Sequence, residues 1–411
     1  MAFEVYTTTW SNPNIIEELI PARGLEFTLP LSDHGECAFS ATVEPRKSFW
    51  RAAISSAMSG ILVCSDGWPV WSGQILGERQ SGPRTFDFTA AEWGSFFETC
   101  PAVPLVATGM NDHALFRRLI SDAQAISGQN AQILMGSTAG ASVSDLTINA
   151  WDSTTVEEEF RRVGEHAGGP EWYFAATGTL DNPTRTLVLG DRLGAVDPVA
   201  VLEYVEDTED YVIPAGPPTT LTPLGLTFPG AQPYAVLWRD TWWPDDIWRD
   251  IWGVAGARPA RRGGNIIAHP ARQQTPGITV ATAVGAGDQA AQLRTSASAT
   301  VLLAAGYPRK TKVSQYTDVS IAATLQKHAD GDLAAGSGMT TAFTLSTFGA
   351  NPDWTSIARG DTVQVSLDTD VYATSDRPLV FNSRVLDIAV KVPDDGPVEV
   401  NYTIADTRDV N

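Results

Sequence analysis

Residues 59–97 read SGILVCSDGWPVWSGQILGERQSGPRTFDFTAAEWGSFF, and the order of strand and turn signals in this stretch decides the fold class. Residues 61–64 form a short apolar run, partly β-branched, as strands prefer. Ser65-Asp66-Gly67 is turn chemistry, with Asp66 and Gly67 suited to the positive φ of a tight hairpin. Residues 68–71 run back as a second strand, and Pro69 fits an edge or a strand start. Gly73 interrupts the pattern and marks a bend or a close backbone approach. Residues 74–79 continue extended, Ser81-Gly82-Pro83 turns again, and 85–89 alternates with Phe86 and Phe88 on one face. Residues 90–97 have helical spacing, with Thr89 as cap and Glu92 three positions on.

The remainder of the chain is consistent with a β-rich, multidomain protein. Its 411 residues exceed one ordinary core. Thirty-five Gly and 26 Pro beside only 18% charged residues favour turns and short strands over long helices. A formal charge of −20 argues against a DNA-binding face, which needs a basic surface. Cys37, Cys64 and Cys100 are widely spaced, without a Cys-x-x-Cys, and are expected as buried free thiols rather than zinc ligands. There is no basic start followed by an apolar run and no apolar run of about 18 residues, so neither a signal peptide nor a membrane helix is expected, and assembly in a reducing cytoplasm is.

Along the chain, 24–31 and 37–43 read as strands, 49–58 as a short helix and 101–110 as a Pro-containing linker. The clearest helix is 111–125, capped by Asn111 or Asp112, with Leu115, Phe116, Leu119 and Ile120 on one side. A second helix is expected over 155–166, acidic in its first turn and stopped by Gly168-Gly169, followed by strands at 172–176 and 185–189. Residues 205–264 are irregular, acidic and then Pro-rich. They carry Trp238, Trp242, Trp243, Trp248 and Trp252 in YAVLWRDTWWPDDIWRDIWG, where Pro244 and Gly253 bound a short amphipathic helix. Strands are expected at 278–284, 343–347, 362–367, 384–392 and 398–404. A helix is expected over 318–333 with Ile321, Leu325 and Ala329 inward.

The stretch 59–97, together with VLLAAGYPRKTKVSQYTDVSIAATLQKHADGDLAA at 301–335 and RGDTVQVSLD at 359–368 with its Gly360-Asp361 turn, resembles the phage tail hub proteins. These are minor tail proteins, also called baseplate hub proteins, of long-tailed actinobacterial phages. The resemblance covers most of the chain outside about 204–264. It implies an α+β, mainly β, multidomain fold with two similar tail-tube-like β-barrel modules and a helix-containing α/β module between them. The expected domains are an N-terminal barrel at 1–107, an α/β domain at 108–204, an irregular Trp-rich insertion with returning strands at 205–300, and a helix plus C-terminal barrel at 301–411. The implied role is structural and non-enzymatic. Such a siphovirus tail-tip hub closes the distal end of the tail tube, seats other tip proteins and forms the ring through which DNA is ejected. The implied partners are two further copies in a homotrimer, the tail tube or distal tail protein, the tape measure protein, and other minor tail or receptor-binding proteins, with DNA only as passing cargo. The implied location is the tail tip of the virion.

Other chemistry is weighed against this. VATAVGAGDQAAQL at 280–293 mimics a dinucleotide fingerprint through Gly285, Gly287 and Ala290. The nearest acidic partner, Asp318, is too far along, so a Gly-rich hairpin without a cofactor is expected. Asp33-His34-Gly35-Glu36 gathers two carboxylates and an imidazole in a turn, but no nucleophile motif accompanies it. The Trp segment is expected in a subunit or partner contact; the alternative is a glycan-binding adsorption surface. Arg258, Arg261 and Arg262 are expected to pair with an acidic neighbour. Two segments echo each other: each has a strand, a Gly-Pro turn (Gly82-Pro83 and Gly396-Pro397) and an alternating strand, which implies that the β modules are related.

Overall fold

The computed structural model describes residues 2–42, 59–136, 138–165, 168–205, 220–221, 226–227, 264–267, 270–275, 277–287, 292–317, 319–337, 340–349, 352–368 and 378–406. The chain divides into two compact units, Met1–Tyr204 with Asn265–Asn411, and Val205–Gly264. The expected helix at 49–58, the tryptophans 238–252, the arginines 258–262 and Asp318 lie outside the described residues.

The first β module contains β1 (Phe3–Thr9), β2 (Asn12–Ile20), β3 (Ala22–Pro30), β4 (Glu36–Thr42), β5 (Ser59–Ser65), β6 (Trp68–Gln80) and β7 (Thr85–Glu92). Their spatial order is β2-β1-β5-β6-β7-β4-β3. Alternation along β4 puts Cys37, Phe39 and Ala41 inward, as a half-buried strand requires. The helix expected over 90–97 is not formed: β7 continues to Glu92, and only Ser95–Glu98 makes a 3₁₀ turn with no side-chain cap. Ala90 and Ala91 are laddered between Cys37 and Glu36 on one side and Ile75 and Gln74 on the other, so strand pairing overrides the helical spacing.

Next come β8 (Leu105–Asn111), α1 (Asp112–Ala125), β9 (Ile133–Met135), β10 (Val143–Ile148), α2 (Val156–Gly164), β11 (Glu171–Thr179) and β12 (Asn182–Gly190). The expected linker at 101–110 is largely β8, which pairs antiparallel with β10. Asn111 caps α1, and Thr155 with Glu158 forms a reciprocal capping box on α2. That helix ends at Gly164, before the Gly pair expected to stop it. The core here is aromatic: Phe116 stacks on Phe160 at 4.8 Å, and Phe97, Trp172 and Phe174 surround them.

After β13 (Val201–Val205), the second unit shows a small antiparallel pair, β14 (Thr220–Leu221) and β15 (Leu226–Thr227). The chain returns through β16 (Ala271–Thr275), then forms β17 (Val280–Val284), β18 (Arg294–Ser298), α3 (Thr300–Ala304), β19 (Thr311–Gln315) and α4 (Ala322–Gly336). β17 pairs antiparallel with β18 and parallel with β19. The Gly285–Gly287 stretch therefore joins two antiparallel strands, not a strand to a helix. Leu325 and Ala329 are buried against Ala283 and Ala297. Ile321, expected inward, precedes the helix as its cap and is 43% exposed.

The last β module combines β13 and β16 with β20 (Thr340–Phe348), β21 (Thr362–Asp368), β22 (Leu379–Val392) and β23 (Glu399–Asp406). β22 pairs antiparallel with β3, so both β modules belong to one 13-stranded sheet over one continuous core. The two modules thus join through the pairing of β3 with β22.

Within that sheet six strands of the first module, all but β2, match six of the last. One reads β1-β5-β6-β7-β4-β3 and the other β13-β21-β22-β23-β20-β16. Chain order corresponds as well: β1, β3, β4, β5, β6, β7 against β13, β16, β20, β21, β22, β23. One irregularity coincides as well. β6 is bulged against β7 between Ile75 and Gly77, and β22 against β23 between Val385 and Asp387. The extra residue is a leucine in both, Leu76 and Leu386, exposed by 57% and 36%. Aligned on the bulges, Trp71 matches Phe381, Ile75 matches Val385 and Phe88 matches Tyr402, and all six are buried in the shared core. A bulge tightens local twist and re-aims a strand, so a shared bulge gives both long middle strands the same bend.

Candidate functional site

The modules meet at a buried ion pair. Arg359 enters from the turn before β21, and its guanidinium holds both carboxylate oxygens of Glu92, at the end of β7, at 2.8 and 3.1 Å. The same guanidinium donates to the carbonyls of Pro30 at 2.9 Å and Phe174 at 2.8 Å and lies 4.2 Å above the Tyr173 ring. Glu92 also accepts from the Gly35 N–H at 2.8 Å. Burial pushes the Glu92 carboxyl up, opposed by the Arg359 charge and by these hydrogen bonds. One side chain thus ties the first β module, the α/β module and the last β module together. A planar five-donor fork suits that task better than an ammonium would.

A second contact lies beside it. Arg384 on β22 forms a bidentate pair with Glu171 at the start of β11 and donates to the carbonyls of Gly360 at 2.9 Å and Leu193 at 2.6 Å. Gly360 has φ 91°, a conformation that favours glycine. Asp361 accepts from the backbone N–H of Ala195 at 2.6 Å and Ala358 at 2.7 Å. The Gly360-Asp361 turn therefore anchors the chain leaving β12 to the start of β21.

The third contact joins β12 to the β1–β2 hairpin. Arg185 is buried, with its guanidinium carbon 3.6 Å from the Trp93 ring centroid. It donates to the carbonyls of Trp10, Ala131, Thr9 and Asn12 at 2.6, 2.8, 2.6 and 3.3 Å, and to the Thr8 hydroxyl at 3.2 Å. Burial pushes its pKa down to about 9, so it remains a cation at neutral pH. Trp93 is fixed from its other end by Nε1 donating to Ser72 Oγ at 2.8 Å.

The turn residues singled out in the sequence divide into two groups. Gly73 stands opposite Glu92 in the β6–β7 register, and Gly360 and Asp361 directly follow Arg359, so these three are neighbours of the ion pair in register or in sequence. Asp66 and Gly67 lie apart from it. They turn β5 into β6 with φ 49° and 82°, and Asp66 Oδ1 accepts from Ala2 N at 2.8 Å. Gly82 and Pro83 turn β6 into β7, where the Ser81 and Gly82 N–H groups share the Thr85 carbonyl. In the Asp33–Glu36 turn, His34 Nε2 is 3.1 Å from Glu98 Oε1. With Glu157 these residues bring three ligand atoms within 4.8 Å of one another. Arg161 supplies positive charge there, paired to Glu157 and, at 3.0 Å, to Asp33. Sequence reasoning missed Arg185, Arg384, Glu171 and the pairing of Arg359; only the Arg-Gly-Asp string carried a local signal.

No family model and no curated protein matches the sequence. Solved structures do match in fold. A tail protein from Neisseria meningitidis MC58 superposes with TM-score 0.55 at 13% identity, over 100% of this chain and 98% of that one. The prophage MuSo2 43 kDa tail protein from Shewanella oneidensis gives 0.53 at 9% identity, over 98% of each chain. Prophage tail protein gp18 from Listeria monocytogenes EGD-e gives 0.51 at 9% identity, over 98% of this chain and 95% of that one. Along essentially its whole length, this chain has the mainly β, α+β fold of those phage tail proteins.

Proposed function

We propose that the chain is a non-enzymatic structural protein of a phage tail tip, a hub that closes the distal end of the tail tube, seats other tip proteins and encircles the path of the ejected DNA. The observation that carries this reading is the duplication of the β module, six strands in the same spatial and chain order with a shared bulge in the long middle strand. A subunit with two equivalent modules can present six equivalent units to a sixfold tube when three copies form a ring. Such a ring needs a heterologous contact that closes cyclically, not an isologous dimer contact. The fold likeness to tail proteins supports the same reading, and the charge of −20 suits a wall that must not hold a passing polyanion. The tail tube, the tape measure protein and other minor tail proteins are the proposed neighbours. The test is the symmetry of this chain in purified tail particles imaged by electron cryomicroscopy. Three copies with the two β modules alternating around a channel are expected; six copies or one copy would refute the ring.

A further inference from the structure

The chain itself contains a template for the contact between copies. Inside one molecule, β3 of the first module pairs with the far half of β22 in the last, Leu25 to Pro30 against Val392 to Asp387. The counterpart of β3 is β16, and the counterpart of that half of β22 is the half of β6 beyond its bulge. Both counterpart edges are open among the described residues. β16 pairs only with β20, and β5 covers β6 no further than Gln74. We infer that β16 of one copy pairs antiparallel with Gly77–Gln80 of β6 in a second copy, repeating the β3–β22 seam between molecules. This inference rests on the ring proposed above and specifies its seam.

The internal equivalence also sets the register. Ala90 and Ile404 correspond through the bulges, Cys37 and Phe343 are their partners, and Phe27 and Arg272 are the partners of those. Phe27 lies opposite Val390, whose counterpart on β6 is Gln80. Arg272 therefore falls opposite Gln80, Gln273 opposite Arg79, Gln274 opposite Glu78 and Thr275 opposite Gly77. The two seams differ in character. The internal one buries Phe27, Leu29, Ile388 and Val390 and is permanent. The external one brings together Glu78, Arg79 and Gln80, which are exposed in the single chain, and the sequence Arg272-Gln273-Gln274. Charged and polar edges keep a free subunit from pairing indiscriminately, and main-chain hydrogen bonds then supply the contact when copies are brought together on the tube.

The test uses full-length chains carrying Gln80→Cys with Arg272→Cys, or Arg79→Cys with Gln273→Cys, in tail particles. Adjacent antiparallel pairs alternate between wide and close spacing, so one of the two has the closer geometry, and both fall within disulfide range. Mild oxidation should convert the chain to a covalent trimer on a non-reducing gel for at least one pair, and Gln80→Cys with Thr275→Cys, three positions out of register, should stay monomeric. Monomers from both in-register pairs in a tip that images as threefold would overturn the seam and leave the ring standing. A tip that is not threefold would overturn the ring and the seam with it.

Discussion

Nη2 of Arg359 lies 2.8 Å from Oε1 of Glu92 although the two residues are 267 positions apart, and their side chains are only 6% and 1% exposed. Removing one partner of such a pair strands a buried charge, at a cost of about 3–5 kcal/mol. Arg359→Met should therefore lower the denaturant midpoint markedly, and Glu92→Leu should do the same. The double variant should lose less than the sum of the two, because no lone charge remains. Additive losses in urea titrations would show that the residues do not act as a pair.

Gly73 faces a steric limit. A Cβ built there would lie 2.1 Å from the Ala91 carbonyl oxygen and 2.4 Å from the Trp71 ring, and neither can withdraw, since Trp71 is fully buried. Overpacking of this kind costs about 1–3 kcal/mol or more. Gly73→Val is expected to reduce soluble yield and melting temperature. A variant with unchanged yield and melting temperature would contradict this.

The strands were legible because alternation and turn chemistry are local. The 39-residue stretch that opens on Ser59 supplied β5, β6, β7 and their turns in order. Where a tertiary partner decides, local spacing misled: Ala90 and Ala91 read as helical but are clamped between two strands. The joining of the modules through β3 and β22 was not legible either, because an edge strand does not encode which edge it meets. Nor were the arginine contacts, since Arg185 and Arg384 lie on strands whose alternation allows an exposed side chain as readily as a buried one.

The three thiols should be inert in the native protein. Cys37, Cys64 and Cys100 are all buried and free. Burial pushes the thiols of Cys64 and Cys100 up to about 12 and about 11, and raises that of Cys37 as well. Because the thiolate is the reactive form, Ellman's reagent at pH 8 should find no fast-reacting thiol in the folded chain and three after denaturation. A single native thiol reacting within minutes would contradict the burial of the residue labelled.

Acid should weaken the small α/β unit around α4 through Asp332. Burial alone would raise its carboxyl. Lys312, at 2.5 Å, together with the hydroxyls of Ser314 and Tyr316, more than offsets this and holds it below the usual carboxylate range. A folded-state pKa below the unfolded one means that the unfolded chain binds the proton more readily. The contribution is therefore complete above the unfolded value of 3.8 and is lost as pH falls below it towards the folded one. Tyr316 accompanies the change, because its hydroxyl contacts the Asp332 carboxylate at 3.1 Å and its ring stacks on His328 at 4.1 Å. Asp332→Asn should flatten the part of the stability–pH curve below about pH 4 while lowering stability at pH 7, and Lys312→Met should shift the same limb to higher pH. An Asp332→Asn curve parallel to the parent's throughout the acid range would show that this carboxylate does not contribute to the acid limb.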